Sequence, residues 1–242
     1  MTSPSSWPAG QAPSEAAVQA VHERYQVEVV EGLGLCPFAR RSRELGRVHR
    51  PTYIAVDDQD CVEPREVAED LAALIRARAD TEIVLLTFPV PPAHPWRDPA
   101  RFEEFLKALR PIWDALAPSE FFMVAFHPEL RPPADRPLNR DSLVSLLRRS
   151  PDPVIQCVNA TILEDVRAQA QASARERMLR ELEAKDPALA ALFARSIQPD
   201  PELSSDIAKQ NFRNLGDAEG LARLDAAVAA VLDERNRRYG LE

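Results

Sequence analysis

Between Val48 and Phe126 the apolar pattern switches repeatedly between strand and helix spacing, and this alternation constrains the fold more than any other feature of the chain. Val48, Tyr53, Ile54 and Val56 read as a first strand interrupted by Pro51. After Pro64, whose missing N–H suits a first helical turn, Val67, Leu71, Leu74 and Ile75 recur on one helix face. Glu82 to Phe88 is almost continuously apolar, the pattern of a strand covered on both faces. Asp98-Pro99 opens a helix carrying Phe102, Phe105, Leu106, Leu109, Ile112 and Trp113, and Phe121 to Phe126 makes a third strand that stops at His127-Pro128. Such an order with short connections builds crossover units, so the three strands are expected to run parallel. The expected class is α/β: a small parallel or mixed sheet of at least three strands with crossover helices.

The flanks extend this core. Ala16, Ala17, Val18, Ala20, Val21, Tyr25, Val29 and Val30 keep a helical period after Ser14 and predict a helix ending at Gly32 or Gly34. Pro37 suits the start of a short helix closed by Gly46, which puts Cys36 at or beside its N-cap. Downstream of Pro137 only helices are expected: near Leu143–Leu147, from about Val154 to Ala184, near Leu189–Phe193, near Ile207–Leu215, and from Leu221 to Arg238. Residues 1–13, rich in Ser, Pro and Ala, read as a flexible tail without the basic and apolar regions of a secretory signal. Residues 14–242 then form one α/β domain with a helical C-terminal portion from about 138.

Composition removes several function classes. Hydrophobic residues at 45% and charged residues at 28% fit a globular protein, and no apolar run approaches the roughly 18 residues of a membrane span. The net charge of −8 opposes nucleic-acid binding. Three cysteines without a C-x-x-C pair argue against a disulfide framework and a zinc ribbon, and the seven glycines form neither G-x-G-x-x-G nor a Walker loop. The cytoplasm is the expected location, and the sequence leaves the cofactor and the oligomeric state open.

Cys36 is the sharpest candidate, because a thiol at a helix N-terminus meets unpaired N–H groups and the positive end of the dipole, with Arg40 and Arg41 one turn on. The bland counterpart is a small hydrophobe buried between Leu35 and Phe38. Cys61 and Cys157 lack an electropositive setting. His127, at a strand end, suits a general base or anion donor, against a histidine hydrogen-bonded to its own loop. His22 on the first helix and His49 in a basic surface stretch attract little attention, and His94 lies in a proline-rich loop. Arg149 and Ser150, in the run Arg148-Arg149-Ser150-Pro151-Asp152-Pro153, precede an expected helix and suit a phosphate or carboxylate; alternatively they are a plain helix end and start. Asp57 and Asp58 with His127 would make a thin metal-ligand set.

Taken together, Gly34-Leu35-Cys36-Pro37-Phe38-Ala39-Arg40, Phe126-His127-Pro128, Arg149-Ser150-Pro151 with Pro153, and Asn211 with Leu215-Gly216 resemble an uncharacterised bacterial family, domain of unknown function 1415, over about residues 18 to 220. The resemblance implies no reaction but directs attention to Cys36, His127, Arg149, Ser150 and Asn211. This chain departs from the family pattern at Asp152, where an aromatic is usual, and at Gln156, where a histidine is usual. The charged stretch through Arg175, Arg177 and Glu181 also reads as an insertion, with a solvated helical face.

The leading expectation is a thiol-dependent enzyme acting on an anionic small molecule, with Cys36 as nucleophile or redox centre, His127 as proton carrier, and Arg40, Arg149, Ser150 and Asn211 holding substrate. The alternatives are a non-catalytic binding protein for an anionic metabolite or partner, and a metal-dependent hydrolase. The enzyme carries a geometric requirement. If the short helix from Cys36 to Leu45 folds back along strand one, Cys36 and His127 share the carboxyl edge of a parallel sheet, within about 10 Å of each other.

Overall fold

The computed structural model describes residues 7–116, 120–131, 140–165, 211–212 and 214–241, with isolated positions 168, 176 and 180. Ser14 accepts from the Ala17 N–H and caps α1 (Glu15–Arg24), which continues as a π-helical segment, Tyr25–Glu31, to the turn at Gly34. Then follow α2 (Ala39–Glu44), β1 (Val48–His49), α3 (Pro64–Ala77), β2 (Ile83–Thr87), α4 (Pro99–Leu116), β3 (Phe121–Phe126), α5 (Arg140–Leu147), β4 (Val154–Asn159) and α6 (Ala218–Tyr239). Pro64 and Pro99 each stand at a helix start, as their chemistry predicts.

The four-stranded sheet has the order β1-β2-β4-β3. β1 pairs parallel with β2, and β4 runs antiparallel to both β2 and β3. The three expected strands therefore point the same way, but β4 is inserted between the second and third, so the β2–α4–β3 crossover spans a strand of opposite direction. This corrects the sequence expectation of helices only after Pro137. Val154-Ile155-Gln156-Cys157-Val158-Asn159 is a short β-branched run that merges into helix-forming residues, and 160–165 are indeed helical. Apolar periodicity does not separate a buried six-residue strand from the first turns of a buried helix. The rest of the long helix, the Leu189–Phe193 fragment and the charged stretch lie outside the continuously described residues.

β1 is shorter than expected because Pro51 has no N–H to donate to the ladder. Beyond it the chain stays beside β2: the Thr87 N–H donates to Pro51 O, and the Tyr53 and Ala55 N–H groups donate to the Thr87 and Pro89 carbonyls.

Side-chain alternation assigns the two faces. Val84, Leu86, Phe121, Met123, Ile155 and Cys157 pack under α3 and α4 in the main core with Leu71, Phe88, Phe102 and Trp113. Ile83 and Val158 face the other way, against Phe38 and Ile162. A third apolar cluster joins α1 and α6 through Val18, Val21, Val29, Leu224, Val228 and Val231. Of the tail expected over 1–13, the described part, 7–13, packs against this cluster through Trp7, which is buried and donates from Nε1 to Ala55 O at 2.8 Å. Among the described residues, no helix is long and apolar enough to cross a membrane.

Candidate functional site

Cys36 follows the turn at Gly34, where φ is +65°, and packs with the cluster around Phe38, Ile83, Val158 and Ile162. Ile83 is the first residue of β2 and pairs with Val158 near the end of β4. His127 follows Phe126, which pairs with Val154, whose partner on β2 is the last residue, Thr87. Cys36 and His127 thus stand at opposite edges of the sheet, roughly 14 Å of strand apart. The shared cleft is not formed. Cys36 is held at the start of β2 by its packing with Phe38, Ile83 and Val158, and β1 pairs with that same end of β2 through Val48 and Ile83.

The setting of Cys36 also opposes a thiolate. The Phe38 and Ala39 N–H groups do reach the sulfur, but burial dominates and pushes the thiol up to about 11, with the Glu31 charge adding to the rise. The nearby guanidinium groups face carboxylates instead. Arg40 lies 3.6 Å from Glu31, Arg43 holds Glu31 through two bonds of 2.7 and 2.9 Å, and Arg41 lies 3.3 Å from Glu82. Asn211 donates from Nδ2 to Leu35 O at 3.1 Å, fastening the turn before Cys36.

His127 is committed at both ring nitrogens. The Glu129 N–H donates to Nδ1 at 3.0 Å, so the ring proton sits on Nε2, which donates to Trp96 O at 2.8 Å. This is a neutral histidine holding two loops together. Asp57 and Asp58 act electrostatically on His94 rather than on His127. Among the described residues no group of three His, Cys, Asp or Glu side chains is placed to hold a metal.

His22, His94 and His127 are all buried, and burial is the leading influence holding each below the ordinary histidine value. The unfolded chain takes up protons near pH 6.5 while the native protein resists, so stability is full above that value and falls as pH drops through the depressed native values. Urea midpoints measured from pH 7.5 down to 5.5 should decline, and His127→Gln should flatten the decline. A midpoint that holds steady over that range would contradict this.

Arg149 and Ser150 precede β4, not a helix, so the helix N-terminus expected to help bind an anion there is absent. Arg149 pairs through Nη1 with Asp225 Oδ1 at 2.6 Å, its carbonyl accepts from Tyr25 OH at 2.6 Å, and its Nε is buried without a partner. Ser150 Oγ donates to Asp152 O.

The most concentrated polar chemistry involves residues to which the sequence drew little attention. Asp152 is fully buried, accepting on Oδ2 from His22 Nε2 at 3.0 Å and Tyr239 OH at 2.7 Å, and on Oδ1 from Arg235 Nε at 3.1 Å. Burial alone would raise this carboxyl; the Arg235 charge and the hydrogen bonds from His22 and Tyr239 hold it below the usual carboxylate range. One turn along the same helix, Gln26 accepts on Oε1 from Arg50 Nη2 at 2.6 Å and donates to Glu31 at 3.4 Å. The wider turns of the π-helical segment bring Gln26 and Glu31, five residues apart, into line. Arg50 differs from its neighbours. Among the described residues no carboxylate lies within 4 Å of its guanidinium, its Nε is buried without a partner, and burial draws its pKa down against the opposing charge of Glu23.

One signal for this region was present: Gln19, His22 and Gln26 form a polar line on a helix whose other positions bury Val18, Val21 and Val29. Nothing local marks Arg235 or Tyr239 as partners of Asp152. A family model described as protein of unknown function (DUF1415) matches residues 17–185. No curated protein and no solved structure matches the chain.

Proposed function

The chain belongs to the DUF1415 family of proteins of unknown function, and we propose that it is a non-catalytic binding protein for a small anionic molecule, a carboxylate or phosphate, held by Arg50. The observation that carries this is Arg50, half-buried, whose Nε is enclosed without a partner and whose guanidinium has, among the described residues, no carboxylate within 4 Å, the Glu23 charge acting on it only from farther off. An enclosed N–H without an acceptor is costly, and an anion supplies both that acceptor and a charge in direct contact with the guanidinium. Gln26, which already bonds Arg50, orients the guanidinium. The buried orphan Nε of Arg149 is the second position where an acceptor fits. The thiol-enzyme reading lacks a cleft common to Cys36 and His127. Cytoplasmic location belongs to the same proposal, since none of the three cysteines forms a disulfide. The net charge of −8 favours a small anion over a nucleic acid.

Thermal unfolding in phosphate and in small carboxylic acids tests the reading. A ligand at 100 times its Kd should stabilise by about 2.7 kcal/mol. Arg50→Gln should abolish that response while leaving the protein folded, because Arg50 is only half-buried and no contact ion pair is lost. An Arg50→Gln protein that still responds fully, or a wild-type protein that responds to no anion, would sink the proposal.

A further inference from the structure

Away from the α1 region, Cys61 and His94 form a thiol–imidazole pair that the sequence did not connect. Cys61 is exposed, and its Sγ lies 3.5 Å from Nε2 of His94, which is buried at 2% exposure. The Trp96 N–H donates to His94 Nδ1 at 3.0 Å, and the two rings pack edge to face with centroids 5.2 Å apart. A backbone N–H can only donate, so Nδ1 carries no proton and the ring hydrogen sits on Nε2, directed at the sulfur and the Asp60 carbonyl. His94 in this tautomer stabilises a thiolate but cannot accept its proton, and Nε2 has no lone pair free for a metal. Burial, and after it the charges of the neighbouring Asp60 and Glu63, push the Cys61 thiol up.

We propose that Cys61 is a reversible thiol-modification site that prefers cationic over anionic low-molecular-weight disulfides, with His94 as a fixed hydrogen-bond donor to the sulfur and Asp60 and Glu63 as the charge filter. In the exchange, Cys61 loses its proton to water, and the thiolate attacks one sulfur of the disulfide. The S–S bond breaks, and the departing thiolate takes a proton from water. The disulfide is the only oxidant required, and the products are a mixed disulfide on Cys61 and one free thiol. Cys36, half-buried with its sulfur turned to backbone N–H groups, and Cys157, buried in the sheet, do not compete.

The test exposes the folded, full-length protein at pH 7 to cystamine or to oxidised glutathione at equal concentration, with a free cysteine derivative as reference thiol, and follows adducts by intact mass and peptide mapping. The first adduct should appear at Cys61, and the cystamine-to-glutathione rate ratio should exceed that of the reference roughly fivefold, as expected for reagents of opposite charge near two carboxylates. Asp60→Asn with Glu63→Gln should return the ratio to the reference value, and Asn keeps an acceptor for the Val56 N–H that Asp60 now binds. His94→Gln should slow both reagents at Cys61. A first adduct at Cys36 or Cys157, or a wild-type ratio equal to that of the reference thiol, overturns the proposal.

Discussion

Asp152→Ala is expected to destabilise the protein by about 3–5 kcal/mol, the cost of removing one partner from a buried ionic cluster. The carboxylate satisfies Arg235, His22 and Tyr239 at once, and all four side chains are withdrawn from water. Deleting it leaves a buried guanidinium without its counter-charge and two polar groups without acceptors. Because His22 belongs to α1, Arg235 and Tyr239 to α6, and Asp152 to the entry of β4, the loss falls on the joint between the sheet and both terminal helices. Asp152→Asn keeps an acceptor and should cost less. As a control, Glu28→Ala breaks only the exposed pair with Arg24 at 3.0 Å and should stay within about 1 kcal/mol. Urea unfolding of the three variants reads the differences directly, and an Asp152→Ala loss no larger than that of Glu28→Ala would show the cluster to be energetically idle.

Trp7→Ala is expected to cost about 3–5 kcal/mol, as for other buried aromatic truncations. A tail residue would cost nothing. Trp7 is 1% exposed, its indole meets Tyr239 edge to face at 6.1 Å, and its Nε1 supplies a bond to Ala55 O. The segment lies over the end of α6 so closely that a Cβ at Gly240, where φ is +64°, would come within 2.7 Å of the Ala9 Cβ. Trp7 and Asp152 share Tyr239 as a neighbour, so the double variant should lose measurably less or more than the sum of the singles. An unfolding midpoint unchanged in Trp7→Ala would restore the tail interpretation.

Much of the fold was legible locally. The Ser14 cap, the proline starts of α3 and α4, and the apolar runs of β2 and β3 depend on neighbours within a few positions, and each stands where its chemistry predicts. The candidate site was far less legible. Cys36 has the helix N-terminus that drew attention to it, since the Phe38 and Ala39 N–H groups reach its sulfur, yet burial and Glu31 outweigh them. His127 stands at a strand end as expected, but loop partners occupy both nitrogens. Cys61 seemed inert because its neighbours in the chain are acidic, whereas its imidazole partner comes from a loop 33 positions away.

The sequence by itself determined which segments are helical or extended over most of the chain, and that three of the strands share a direction, because periodicity and turn chemistry are properties of consecutive residues. Only the tertiary structure decided that β4 enters the middle of the sheet, that Cys36 and His127 stand at opposite edges, that Trp7 is buried, and that Asp152 gathers donors from residues 22, 235 and 239. The physical reason is the same in each case. A strand's pairing partner and a buried charge's counter-group are selected by the total burial and hydrogen bonding of the assembled chain, and no local pattern encodes a partner 83 or 130 positions away.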